Sequence, residues 1–326
     1  MPLGLSTRLL PAGADAVAEA ARCLRNGGLV GFPTETVYGL GADAANPAAI
    51  ARLYQAKGRP AFNPLIAHVG DLAAAEAIAQ FDSRARALAQ AFWPGPLTLV
   101  LPKAQNCPIA DLATAGLNTV AVRVPAHNVA RALLQAFGGA VVAPSANRSG
   151  HVSPTTAAHV LADLDGRIDL ILDGGPVEVG VESTIIGCFD EPVLLRAGGL
   201  PREAIERLLG RALLAPQEPD ADSPHPLAPG MLASHYAPRA RVRLQATDVH
   251  PGEALLAFGP DALPGLDKAV AVMNLSESGD LTEAATKLFG YLRALDTYGA
   301  AGIAVMPVPG HGLGEAINDR LRRAAA

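Results

Sequence analysis

Between residues 14 and 25 the apolar positions Val17, Ala20, Ala21 and Leu24 recur at the spacing of one helical face. Asp15 and Glu19 precede Arg22 and Arg25, the order that suits a helix dipole, and Gly27-Gly28 follows as a stop, which predicts an amphipathic helix over Ala14–Arg25. Leu29–Phe32 then reads as a buried strand. Asn46-Pro47 offers a cap and a proline at the first helical position, for a helix carrying Ile50, Leu53 and Tyr54. The alternation continues with strands at Pro64–Val69, Leu97–Leu101, Thr119–Val124, Ala140–Ala143 and Ile168–Leu172. Helices are expected after Asp71, after Asp82, near Val129–Phe137 and after Pro154. Short apolar strands between helices predict an α/β sheet covered by helices, mixed rather than purely parallel.

A further helix starts at Pro201, and then the pattern changes. Residues 211–238 carry prolines at 216, 219, 224, 226, 229 and 238 with little periodicity, which reads as a stiff, semi-extended linker. Beyond it, strands at Arg241–Leu244, Ala254–Phe258, Val270–Met273 and Ile303–Pro307, a long helix from Leu281 to about Leu295 and a closing helix from Glu315 predict a second, smaller α/β unit. The length of 326 residues fits two domains at roughly 150 residues each.

Composition narrows the classes. Half of the residues are hydrophobic and 17% are charged, which excludes wholesale disorder. The net charge of −5 excludes a bulk polycation, so any nucleic-acid contact must use a local basic patch. Cys23, Cys107 and Cys188 are odd in number and widely spaced, signalling neither a disulfide framework nor a zinc ribbon. No signal-peptide pattern opens the sequence and no run of 18 apolar residues follows, so a soluble, cytoplasmic protein is expected.

Thr119–Val124 alternates strictly, putting Val120, Val122 and Val124 on a core face and Thr119, Ala121 and Arg123 on a polar one. Arg123 is then either a solvated edge residue or a bidentate clamp for a carboxylate or phosphate. Lys57-Gly58-Arg59-Pro60 joins a helix to a strand and brackets a glycine with two cations; it is either a solvated helix C-terminus or an anion loop. The chain has only four lysines, so Lys57 does not belong to a lysine-rich surface. Residues 143–150, Ala-Pro-Ser-Ala-Asn-Arg-Ser-Gly, follow a strand, where open α/β sheets bind ligands, although a surface turn uses the same residue types. Asp173-Gly174-Gly175 and Gly180–Thr184 are loop ends of similar character. Gly310–Gly314, between a strand and a helix, is either a structural turn or a backbone anion site.

Several familiar motifs are excluded. Gly39-Leu40-Gly41-Ala42-Asp43-Ala44 fits G-x-G-x-x-A but lies six residues beyond the strand ending near Phe32, which spoils a dinucleotide turn. No P-loop, H-E-x-x-H or G-x-S-x-G occurs.

Taken together, the segments Phe32–Gly41, Lys57–Pro60 with Asn63–Ile66, Trp93–Thr98, Val122–Pro125, Ala143–Gly150, Glu182–Thr184, Pro229–Met231 and His235–Pro238 closely resemble the YrdC-like family of threonylcarbamoyl-adenylate synthases, in its long form. One departure is Arg196-Ala197-Gly198, where the family usually reads Arg-Pro-Gly. The resemblance implies a twisted mixed-sheet catalytic domain over residues 1–210, a proline-rich linker or lid over 211–238, and a Rossmann-like α/β domain over 239–326.

It also implies a reaction: ATP, L-threonine and bicarbonate or CO2 give threonylcarbamoyl-AMP and pyrophosphate, towards threonylcarbamoyladenosine in tRNA. By the resemblance, Lys57 and Arg59 are catalytic. They would surround ATP with Asn63, Thr119, Ser145, Asn147, Ser153, Arg196 and Tyr236. Thr34, Thr36, His68, Arg123, Ala143 and Ser183 would surround L-threonine, with Arg123 on its carboxylate. Magnesium is expected to come with ATP, held either by protein groups or by the phosphates alone, no metal-ligating residue is singled out, and no tightly bound organic cofactor or membrane partner is expected. Downstream tRNA threonylcarbamoyl-transfer machinery is the expected partner, with tRNA contact as a further one. The rival readings are a carbamoyl-adenylating maturation enzyme and a non-catalytic double-stranded RNA or tRNA binder. The former would carry zinc-finger-like segments that this sequence lacks.

Overall fold

The computed structural model describes residues 6–215 and 236–326. Pro229–Met231, His235 and most of the proline-rich stretch lie outside the described residues.

The first domain runs β1 (Arg8–Pro11), α1 (Ala14–Arg25), β2 (Val30–Pro33), β3 (Tyr38–Asp43), α2 (Pro47–Lys57), β4 (Ile66–His68), α3 (Leu72–Glu76), α4 (Ser83–Phe92), β5 (Leu97–Pro102), β6 (Thr119–Arg123), α5 (Asn128–Phe137), β7 (Val141–Val142), α6 (Ala157–Leu164), β8 (Leu170–Asp173), β9 (Thr184–Cys188), β10 (Pro192–Arg196) and α7 (Arg202–Leu209). Helix α1 matches its expected bounds, and its buried stripe is the expected Val17, Ala20, Ala21 and Leu24. Asn46 caps α2 by accepting from the amides of Ala48 and Ala49. Asp71, Asp82 and Thr156 cap α3, α4 and α6 in the same way. The strands form one ten-stranded mixed sheet in the order β1-β8-β2-β3-β7-β4-β6-β5-β9-β10.

Side-chain alternation assigns its two faces. Leu99, Val120, Val122, Val142 and Ile171 join α2, α4 and α6 in the largest cluster. On the opposite face, Val30, Phe32, Val141, Leu170 and Leu172 pack on α1 and α5. Those two helices cover only the β1-to-β7 half. Continuing across that face, Ile66, Val100, Ala121, Ile185 and Leu195 form a cluster without a helical residue. The uncovered half becomes the wall of the site.

The second domain runs β11 (Arg241–Arg243), β12 (Glu253–Ala257), β13 (Val272–Asn274), α8 (Leu281–Asp296), β14 (Gly302–Val305) and α9 (Leu313–Ala324). Its four strands are parallel, in the order β11-β14-β12-β13. Both helices lie on one face, and their cluster also takes in Val37, Val152, Val181 and Tyr236 from outside the domain. The helices are thus packed between their own sheet and the first domain. Further clasps hold the two together: Arg202 pairs with Glu315, Arg293 with Asp163, and the Thr286 hydroxyl donates to Glu178 O at 2.7 Å. The Gly310–Gly314 loop is one of them, because the Gly312 amide donates to Glu203 Oε1 at 3.0 Å. The anion facing this loop belongs to the chain itself.

Candidate active site

The site opens where strand ends meet on the uncovered half-face. Helix α2 ends at Gly58, whose φ of +62° is the left-handed conformation that glycine adopts without strain. The reversal leads Arg59 back under the helix, its amide bonded to Tyr54 O at 2.9 Å. Lys57 and Arg59 are both buried, which removes the solvated-terminus reading of this loop. The Lys57 ammonium donates to the carbonyls of Ser145 and Asn147, bracing the loop after β7. Arg59 donates to Pro64 O at 3.1 Å and Asn63 O at 3.4 Å.

Strand β6 lies inside the sheet, paired with β4 on one side and β5 on the other, and Arg123 is only 4% exposed. The solvated-edge reading of Arg123 is thereby corrected: a central strand has no edge. Its Nη2 donates to Glu35 Oε1 at 2.7 Å, Nη1 to Thr36 Oγ1 at 3.0 Å, and Nε to Gly95 O at 3.3 Å. Glu35 Oε2 accepts from the Ala126 amide at 3.0 Å. Burial alone would raise the Glu35 carboxyl, but the Arg123 guanidinium and the Ala126 amide outweigh it and hold the group below the usual carboxylate range. Thr34 Oγ1 bonds Val37 O at 2.6 Å and meets Thr36 Oγ1 at 2.8 Å. The Thr98 hydroxyl fixes Ser183 Oγ at 2.7 Å.

His68 is fully surrounded. Burial, then the neighbouring Arg123 charge, pushes its pKa down to about 3, so the imidazole is neutral at physiological pH. Its Nδ1 lies 3.2 Å from Ile66 O, and the Val141 backbone also bonds the ring.

Cations dominate the other side. Burial and the Arg59 charge depress Lys57 well below the usual lysine range. Burial brings Arg59 down to about 10 despite nearby Tyr54 and Tyr236, and burial also lowers Arg196. Among the described residues neither Lys57 nor Arg59 forms an ion pair. Among the described residues, Glu182 is the one acid on the cavity wall. Burial would raise it, yet Arg320, Arg196 and the Ser153 hydroxyl together bring it down to about 2.

One cavity gathers Thr34, Thr36, His68, Arg123, Ala143 and Ser183 with Arg59, Ser145, Arg196 and Tyr236. Five other candidates lie outside its lining. Lys57 and Asn147 stand behind Ser145, joined through the lysine, and Asn63 meets Arg59 through its carbonyl. Ser153 donates to Glu182 at 2.5 Å. The side-chain carbonyl oxygens of Asn63 and Asn147 are buried without a hydrogen-bond partner among the described residues, a costly arrangement that suits a ligand or water donor. Thr119 starts β6, half-buried, about 13 Å along the strand from Arg123. Sequence reasoning did not single out Glu35, Glu182, Thr98 or Arg320. The first three sit inside quoted motifs, but a carboxylate among threonines or serines gives no sign that it faces an arginine from elsewhere in the chain.

The loop after Arg196 approaches the backbone of residues 182–184. A Cβ on Gly198 would lie 2.3 Å from Glu182 O and 2.4 Å from Thr184 N. Gly198→Ala is therefore expected to cost about 1–3 kcal/mol of stability and to displace Arg196, read by urea denaturation. Wild-type stability would show that this close approach relaxes freely.

Two family models match the chain: one described as "Telomere recombination" over residues 22–198, and one described as "Threonylcarbamoyl-AMP synthase, C-terminal domain" over 200–326. A threonylcarbamoyl-AMP synthase of Bacillus subtilis is 41% identical over 322 residues, covering 95% of this chain and 92% of the relative. The chain belongs to the threonylcarbamoyl-AMP synthase family. A second member, from Pyrococcus abyssi, is 43% identical over 323 residues, covering 94% of this chain and 93% of its own length. The crystal structure of P. abyssi Sua5 complexed with L-threonine superposes with a TM-score of 0.87 at 39% identity, covering 98% of this chain and 97% of that one. Membership in the threonylcarbamoyl-AMP synthase family makes the chain an enzyme of the nucleotidyltransferase type, and sets aside the reading as an RNA-binding module. The match over 200–326 also separates it from the maturation-enzyme reading. No helix among the described residues is long and apolar enough to cross a membrane.

Proposed function

We propose that this cavity holds ATP and L-threonine side by side and joins them through a carbamate. The observation that carries the reading is the set of buried cations. Lys57 and Arg59 are taken out of water with depressed pKa values and form no ion pair among the described residues. A protein retains such a cluster where an anion will neutralise it, because isolated buried charge is costly. A triphosphate beside Arg59 and Arg196 supplies that charge, and Lys57, behind the wall, keeps the Ser145–Asn147 loop in shape. The nucleoside then extends along β6 towards Thr119.

Threonine lies at the other end, its carboxylate on Arg123 and its hydroxyl near Thr34, Thr36 or Ser183. The amine adds to CO2 derived from bicarbonate and loses a proton, leaving a carbamate. A carbamate oxygen attacks the α-phosphorus, the bond to the bridging oxygen breaks, and pyrophosphate leaves with its electron pair. The protein supplies position and positive charge rather than covalent help. Both oxygens of Glu182 are already engaged, so magnesium in this reading is carried by the phosphates. Tyr236, 1% exposed, closes the cavity against water, which suits a hydrolysable mixed anhydride. The product would then pass, in the cytoplasm, to tRNA threonylcarbamoyl-transfer machinery.

The deciding experiment incubates the purified chain with ATP, labelled bicarbonate and single amino acids. An acyl-adenylate formed with threonine alone is the expected result. Salt-sensitive RNA binding without threonine-dependent pyrophosphate release would overturn it.

Arg123→Lys tests the subsite assignment. One ammonium cannot replace a planar fork, so the KM for threonine is expected to rise about tenfold or more while that for ATP stays near wild type. Equal losses for both substrates would show that Arg123 only supports the fold.

A further inference from the structure

We propose that Arg320, on the last helix of the second domain, is a positioning residue for the active site in the first. The proposal rests on the reading of the cavity as the ATP and threonine site. Arg320 is fully buried and reaches three segments that form that site. Its Nε donates to Glu182 Oε2 at 2.7 Å, while the other Glu182 oxygen holds Ser153. Its Nη2 donates to Ala197 O at 3.0 Å, fixing the residue that follows Arg196. Its guanidinium carbon lies 5.3 Å from the ring centroid of Tyr236, which stacks on Phe289 at 5.4 Å. Glu182, Arg196 and Tyr236 all line the cavity. Asp319 orients the remaining guanidinium nitrogen from the same helix.

The alternative is a plain clasp between domains. That role is filled elsewhere: Arg202 with Glu315, Gly312 with Glu203, Arg293 with Asp163 and Thr286 with Glu178 all join the domains without touching a cavity-lining residue. Arg320 alone among these clasps ends on the wall. The Ala197 contact uses a carbonyl, which proline also has, so the departure from Arg-Pro-Gly leaves it intact. A planar fork is needed because Nε and Nη2 hold Glu182 and Ala197 at the same time, and a lysine in its place can serve only one well.

The test compares Arg320→Lys with Arg202→Ala in the full chain, measuring threonine-dependent pyrophosphate release and thermal midpoint together. For Arg320→Lys, kcat/KM for ATP is expected to fall about 100-fold, the scale of a misplaced binding group, in protein that still melts cooperatively. For Arg202→Ala, which loses a clasp remote from the wall, kcat/KM is expected to stay within about twofold of wild type. Should Arg320→Lys fail to fold, Arg320→Gln is measured in the same way. Wild-type kcat/KM in a folded Arg320 variant, or losses that track the thermal midpoint equally in both variants, would overturn the proposal. Absence of threonine-dependent release in the unaltered chain would sink the reading of the cavity, and this inference with it. If release persists and only the Arg320 split fails, the cavity reading stands without the positioning role.

Discussion

Arg59→Ala is expected to slow threonine-dependent pyrophosphate release by about 10²- to 10³-fold, or about 2.7–4 kcal/mol, the usual scale for losing one preorganised donor. Arg59 lines the cavity, is buried, and makes no ion pair among the described residues. Its guanidinium is therefore available to charge that develops between the α-phosphate and departing pyrophosphate. The same residue costs the resting protein stability. Its folded pKa, brought down to about 10, lies below the unfolded value. A cation shifted in that direction disfavours folding wherever it is charged in both states, which at neutral pH it is. Activity should thus collapse while the thermal midpoint holds or rises. Retained wild-type release in folded Arg59→Ala would refute the assignment. Lys57 differs, because its ammonium already holds two carbonyls of the Ser145–Asn147 loop. Lys57→Ala should lose activity together with order in that loop, visible as faster amide exchange there.

Glu35→Ala is expected to destabilise the first domain by about 3–5 kcal/mol, because removing one partner of a buried pair strands the other. Arg123 would keep Thr36 and Gly95 but lose its counter-charge. A shifted guanidinium should also raise the KM for threonine, which a purely structural loss would leave unchanged in the remaining folded protein. The pH dependence has a defined sign. Glu35 has a depressed folded pKa, so its contribution is complete above the unfolded value near 4.3 and is lost as pH falls through the folded value. The stability gap between wild type and Glu35→Ala should therefore narrow on acidification below about pH 4. A loss under about 1 kcal/mol with unchanged threonine KM would mean that solvent reaches Arg123 when its partner is gone.

The first domain shows where local pattern suffices. Helices α1 and α2 follow from apolar spacing, caps and a terminal glycine, all decided within a dozen residues. Strands β5, β6 and β8 follow from short branched runs. Strand β3 was not read, because Gly39 and Gly41 resemble a loop, yet they serve close packing: a Cβ on Gly41 would stand 3.0 Å from Phe32 and Val141. Strands β9 and β10 were not read either, nor was the short β1, which has no buried residue to mark it.

By itself, the sequence determined the alternation of helices and strands, the break into two units, and which residue types cluster in motif-bearing loops. Only tertiary structure decided that β6 is central and so buries Arg123, that Lys57 turns inward, and that Arg320 meets Glu182 across 138 positions of chain. The reason is physical: periodicity reports which face of its own element a side chain occupies, whereas charge partners depend on which strands become neighbours. That neighbourhood is set by packing of the whole sheet, where every element contributes and no single segment carries the information.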